Sequence, residues 1–165
     1  MPEERGLYPT MRVGEQLVYF GCLKGLPKKL ARTAAGDILD RLGISECWPM
    51  RVEQLSKGMQ QKVQMAIPLM CPSDLILLDE PFSGLDPISA VEVAALIKAR
   101  SRHGSLFVIS SHQLDMVQKI CDSILLMEKG RNILAGKREQ IIEPGLTLEQ
   151  TFLRAVWEYR GTSHD

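Results

Sequence analysis

Apolar residues recur at helical spacing over 13–23, with Val13, Leu17 and Phe20 in phase, and the pattern stops near Gly25 and Pro27. A second helix is expected over 27–42, closed by Gly43, a residue suited to a left-handed stop. Residues 1–12 read as a loop and 44–54 as a connector. Ser56 can cap the next helix, which runs through Val63 and Met65 toward Cys71 and Pro72, with Pro68 placed to kink it. The period then changes. Residues 75–78 and 106–110 are continuous aliphatic runs and read as buried strands, separated by an amphipathic helix over 88–102 with Val91, Ala94, Ala95 and Ile97 toward the core. A helix over 113–121 follows, then strands at 124–127 and 132–135 around the turn Glu128-Lys129-Gly130-Arg131. The tail over 148–159 is helical, with Phe152, Leu153, Val156 and Trp157 on one side.

Strand–helix–strand alternation with wholly apolar strands predicts an α/β chain: a parallel sheet flanked by helices, behind an N-terminal helical subdomain. The expected divisions are 1–72, helical; 73–136, the α/β core; and 137–165, a helical tail. At 165 residues this is one domain or part of one, and an apolar share of 45% suits a packed core. Lys and Arg number 20 and so do Asp and Glu, so no general electrostatic pull toward nucleic acid is expected. The basic doublets Lys28-Lys29 and Lys137-Arg138 read as solvated surface. Cys22, Cys47, Cys71 and Cys121 form no C-x-x-C pair, which disfavours zinc, and all four read as reduced core or near-core thiols. The opening Pro2-Glu3-Glu4-Arg5 is no secretory signal, and no apolar run reaches membrane-spanning length. The expectation is a cytoplasmic chain that meets a membrane only through a partner.

The chemistry concentrates in Leu75-Ile76-Leu77-Leu78-Asp79-Glu80-Pro81, followed by Phe82-Ser83-Gly84-Leu85-Asp86-Pro87. A strand ending in adjacent carboxylates delivers two acids to one point. Asp79 is placed to hold Mg²⁺ beside a nucleotide, and Glu80 to orient or deprotonate an attacking water. Upstream lies Leu55-Ser56-Lys57-Gly58-Met59-Gln60-Gln61-Lys62, and downstream Leu106-Phe107-Val108-Ile109-Ser110-Ser111-His112. This ordered set resembles the ATP-binding cassette (ABC) ATPases, in the sequence signature motif, Walker B, D-loop, switch histidine, over nearly the whole chain.

The resemblance implies part of a P-loop NTPase core with ATP and Mg²⁺ as cofactors. Ser56 and the backbone around Gly58 would contact the γ-phosphate of ATP bound on a second cassette; a serine hydroxyl, a glycine and a helix N-terminus suit an anion. Lys57 and Met59 stand where the family usually has glycine and glutamine; Lys57 still favours phosphate, whereas Met59 removes an amide donor. His112 would contact the γ-phosphate and help hold the attacking water. Asp86 would lie in the D-loop, which couples two ATP sites, and equally reads as the cap of the helix that starts at Pro87. Glu3 falls where the family's Q-loop glutamine binds Mg²⁺, and a carboxylate serves the same end. The stretch 13–54 resembles the helical subdomain that docks on coupling helices of a transmembrane subunit. His103 and His164 have no comparable context and read as surface residues.

A P-loop requires G-x-x-x-x-G-K-[ST]. The one Gly-Lys pair, Gly136-Lys137, is followed by Arg138, and Arg131 stands where the first glycine is needed. The sequence thus opens at the Q-loop counterpart, and the phosphate cradle and the adenine-stacking aromatic are expected to be missing from it. The chain alone is expected to bind ATP negligibly and not to hydrolyse it. Loss of the P-loop strand is expected to expose strand edges, favouring low solubility or dependence on a partner. The leading reading is a C-terminal fragment of the ATP-binding subunit of an ABC transporter, most like the prokaryotic ABC-2-type exporters. It would act with a transmembrane permease and a second ATPase subunit at the inner face of the membrane, without nucleic acid. The alternatives are a non-catalytic partner that donates Ser56 and Gly58 in trans, a soluble ABC ATPase of translation or DNA repair, and a plain α/β domain with coincidental motifs.

Overall fold

The computed structural model describes residues 6–161, which form two compact units, one running to Ser110 and the other beginning at Ser111. The first unit contains α1 (Val13–Leu23), α2 (Lys28–Arg41), α3 (Lys57–Met70), β1 (Leu75–Asp79), α4 (Pro87–Arg102) and β2 (Leu106–Ser110). Short 3-10 turns, Ser45–Cys47 and Val52–Gln54, make up much of the expected connector.

Helix ends follow local chemistry. Gly43, at φ +64, lets its own N–H reach Asp40 O and that of Ile44 reach Leu39 O, which closes α2 as expected. Ser56 caps α3 by accepting the Met59 N–H at 3.2 Å. The helical layer owes its tightness to two small residues of α1. A Cβ on Gly21 would sit 2.8 Å from Ala31 Cβ of α2, and one on Gly14 would sit 2.3 Å from the Trp48 ring. Lys62 joins three elements: its Nζ donates to Leu42 O at 3.0 Å, after α2, and pairs with Glu92 of α4 at 3.1 Å.

β1 and β2 pair in parallel with Leu75 opposite Leu106, Leu77 opposite Val108 and Asp79 opposite Ser110. Partners in a ladder share a face. Ile76 and Leu78 are buried, but Leu77 is 69% exposed and Val108 54%, with Leu75 and Leu106 beside them. The strands expected to be buried are therefore covered on one face only. In α4 the buried residues are Ser89, Ala90, Val93, Ala94, Leu96 and Ile97, whereas Val91 and Ala95 are exposed. Ala94 and Ile97 lie on the core face as expected; 90, 93, 94 and 97 make the i, i+3, i+4, i+7 stripe, and Val91 and Ala95 lie one position off it.

The second unit contains α5 (Leu114–Ile120), β3 (Ser123–Glu128), β4 (Arg131–Lys137), α6 (Arg138–Ile141) and α7 (Leu148–Gly161). β3 and β4 form the expected antiparallel hairpin, turning at Lys129 and Gly130 with φ of +48 and +76. Ile124, Leu126, Ile141 and Leu148 make its core. α7 starts in a capping box: Thr147 Oγ1 accepts the Gln150 N–H at 3.2 Å, and Gln150 Oε1 accepts that of Thr147 at 2.8 Å. Its buried side is Leu148, Thr151 and Val156 with Phe152 partly covered; Leu153 and Trp157, expected on that side, are exposed.

No disulfide joins the four cysteines. Cys47 and Cys71 are buried, and burial pushes both thiols up from their ordinary value. Cys22, expected in or near the core, is exposed. An alkylating reagent at neutral pH should therefore modify Cys22 quickly and Cys47 and Cys71 only as the first unit unfolds, as read by mass spectrometry across a urea series. Gly21→Ala should lower stability by about 1–3 kcal/mol, seen as a lower urea midpoint, because the added methyl collides with Ala31.

Candidate functional site

The site is built at the C-terminal rim of the parallel ladder, where open α/β sheets carry their ligands. Both strands end in a polar residue, and register sets them side by side: the Ser110 hydroxyl donates a short hydrogen bond to Asp79 Oδ1. Asp79 is exposed, so this bond orients a carboxylate that still faces solvent. The Glu80 N–H donates to Ser110 O at 3.0 Å and is also 3.2 Å from Ser110 Oγ. Glu80 itself has φ +49, a left-handed conformation that a glutamate adopts at a cost.

The turn beyond it is fixed from several sides. The Ser83 N–H reaches Glu80 O at 3.1 Å, that of Leu85 reaches Phe82 O at 3.2 Å, and the Phe82 ring is buried. From α3, the buried Gln61 side chain donates through Nε2 to Glu80 O at 3.4 Å and Pro81 O at 3.2 Å. One turn earlier, Gly58 lies against the same loop: a Cβ there would sit 3.3 Å from Gly84 O. Ser56 and Lys57 are exposed at the start of α3. The start of α3 and the 80–84 loop thus sit side by side within the first unit.

Asp86 caps α4. Its Oδ1 accepts the N–H groups of Ile88 and Ser89, each at 3.0 Å, and its Oδ2 accepts the Ser89 hydroxyl at 2.5 Å. The Ser89 hydroxyl, then the Ser89 N–H, hold the Asp86 carboxyl below the usual carboxylate range. The capping role read from Pro87 is the one this geometry realises. His112 is exposed and belongs to the second unit, two residues before α5. Glu3 lies outside the described residues.

Sequence reasoning missed two residues, Ser110 and Gln61. Both left a signal: a serine closing an aliphatic strand, and a glutamine in phase with Met65 and Leu69 on the buried side of α3. Among the described residues no three His, Cys, Asp or Glu side chains cluster as a ready-made metal site. Asp79 with Ser110 fits a Mg²⁺ that arrives already coordinated by phosphate oxygens and water, which needs only one or two carboxylates from the protein.

A family model for the ABC transporter matches residues 1–83. This chain belongs to the ABC transporter family. Relatives among known ABC proteins agree. The chain is 39% identical over 141 residues to the ATP-binding protein YhaQ of Bacillus subtilis, covering 86% of this chain and 47% of that one. It is 37% identical over 140 residues to the ATP-binding protein NatA of the same organism, covering 85% of this chain and 57% of NatA. The chain thus spans about half the length of the curated relatives it matches. Its fold is that of the ABC ATPases: the ATP-binding subunit of an ABC transporter superposes with a TM-score of 0.83 at 24% identity, over 94% of this chain and 66% of the other. An ATP-binding cassette in its ADP conformation gives 0.69 at 23% identity, over 93% and 64%.

Because folding lowers the Asp86 pKa, its stabilising effect is complete above the ordinary aspartate range, about 3.9, and is lost as pH falls through the lower folded value. Asp86→Ala should therefore unfold at lower urea than the parent at pH 7, and the two midpoints should converge in acid.

Proposed function

We propose that this chain contributes the Walker B and signature elements of the ATP site in an ABC transporter, whose ATP-driven pairing of cassettes works a membrane partner. The observation that carries the reading is the Asp79–Glu80 pair at the ladder rim, with Asp79 oriented by Ser110 and Glu80 held in a left-handed turn. Bound Mg²⁺ would supply neutralisation of the phosphate charge. Asp79 would hold that cation, as would Glu3 at the Q-loop position. Glu80 accepts a proton from, or orients, the attacking water. Ser56, Lys57 and Gly58 face the γ-phosphate of ATP on a second ATPase subunit. His112 is carried over by resemblance as the γ-phosphate contact, and Asp86 as the D-loop residue.

Within the helical subdomain 1–72, residues 13–54 are the permease-facing part of this reading, and 73–136 are the second half of the nucleotide core. A groove of about 570 Å³ beside α1 and α2, lined by Arg12, Glu15, Tyr19, Arg32 and Trp48, offers a seat for a short segment of the permease. No helix among the described residues is long and apolar enough to cross a membrane; in this reading the permease holds the chain at the inner face. The linearmycin resistance ATP-binding protein LnrL of Bacillus subtilis is 29% identical to this chain, and resistance fits an exporter.

The test is ATP turnover by the chain assembled with its permease and a second ATPase subunit. Glu80→Gln should slow hydrolysis by about 10²–10⁴-fold while ATP still draws the subunits together. Wild-type turnover by that variant would overturn the reading. By itself, the 165-residue chain should give no measurable heat with Mg·ATP in a calorimetric titration, since its sequence contains no G-x-x-x-x-G-K-[ST]. That same feature, with the exposed start of α3, supports a second reading in which the chain donates only Ser56 and Gly58 to another cassette. Under that reading Ser56→Ala lowers turnover and Glu80→Gln does not.

A further inference from the structure

We propose that Gln61 is a positioning residue for Glu80, holding the Walker B turn in its left-handed conformation from the signature helix; this rests on reading Glu80 as the water-activating carboxylate. Glu80 has no intrinsic reason to stay at φ +49. A side chain other than glycine, and other than asparagine or aspartate, enters that region only where its surroundings over-determine it. The N-terminal side of the peptide is fixed by the ladder, through Glu80 N–H to Ser110 O at 3.0 Å. The carbonyl side needs a donor. Pro81 brings no N–H of its own, so the next backbone donor toward Glu80 O is that of Ser83, at 3.1 Å.

Gln61 completes the set. Its amide nitrogen lies between two consecutive carbonyls, Glu80 O at 3.4 Å and Pro81 O at 3.2 Å, and so sets the direction of both peptide planes. The side chain is 7% exposed, so its two N–H groups have little water to turn to. Gln61 sits three residues beyond Gly58 on one 14-residue helix capped by Ser56, and Gly58 packs on Gly84 O at the far end of the 80–84 loop. The helix therefore grips the 80–84 loop at both ends: by hydrogen bonds at its start and by close contact at its finish.

Two variants test this. Gln61→Leu keeps the volume and removes the donor; Gln61→His restores an N–H at similar reach. In the chain, Gln61→Leu should speed amide exchange at Ser83 and Glu80 by about tenfold relative to amides further along α3, such as Leu69, and Gln61→His should bring it back. In the assembly with permease and second ATPase subunit, Gln61→Leu should lower kcat by about 10–100-fold with KM for Mg·ATP unchanged, again recovered by Gln61→His. Unchanged protection at Ser83 and Glu80, an unchanged kcat, or failure of histidine to restore either one overturns the proposal. If instead Glu80→Gln leaves turnover intact, the reading of Glu80 fails by itself, and the exchange measurement still decides whether Gln61 holds the turn.

Discussion

Parallel pairing of β1 with β2 brings two polar strand ends, Asp79 and Ser110, together at one rim, and the candidate site is built outward from that pair. A one-residue slip of register would turn Asp79 to the opposite face from Ser110 and dissolve the arrangement. Apolar contacts hold the register: Ile76 and Leu78 are buried on one face and fix which side of β1 looks inward. Asp79 is thereby committed to the other face, the one open to solvent. On that face its carboxylate is oriented by the Ser110 hydroxyl.

That open face also carries Leu75, Leu77, Leu106 and Val108. Parallel strands are ordinarily apolar on both sides because helices cover both. These strands have the composition of a doubly covered sheet, and the first unit covers one side. In the sequence, two-sided burial is all that a continuous aliphatic run can announce. Which side is covered depends on what else packs there, and a chain spanning about half the length of its relatives does not contain that information in its own periodicity.

What was legible follows from how local each cause is. Ser56, Gly43, Pro87 with Asp86, and the Lys129-Gly130 turn mark element ends through bonds to neighbours within four residues, so those ends were readable. The phase of a buried stripe is less local. Val91 and Ala95 in α4, and Leu153 and Trp157 in α7, are apolar residues beside the stripe, and only packing distinguishes them from Val93 or Phe152. Ser110 and Gln61 are less local still. Each acts on residues 19 to 31 positions away, across a register that no pattern prints. The strained Glu80 follows from them, which is why two adjacent acids were visible and the device that holds them was not.

The Met59 N–H is taken up by Ser56 Oγ and that of Gln60 by Ser56 O, as in any capped helix. Ser56 Oγ acts there as an acceptor, so its own O–H proton is left for an outside oxygen. An amide side chain at position 59 would have added a donor, and methionine does not. Lysine at 57 brings a full positive charge to the first turn, where the helix dipole already favours an anion. A charge acting over several ångströms is less demanding of geometry than an amide hydrogen bond. The start of α3 therefore gives up a directional donor at Met59 and gains a charge at Lys57, while Gly58 permits the close approach of Gly84 O.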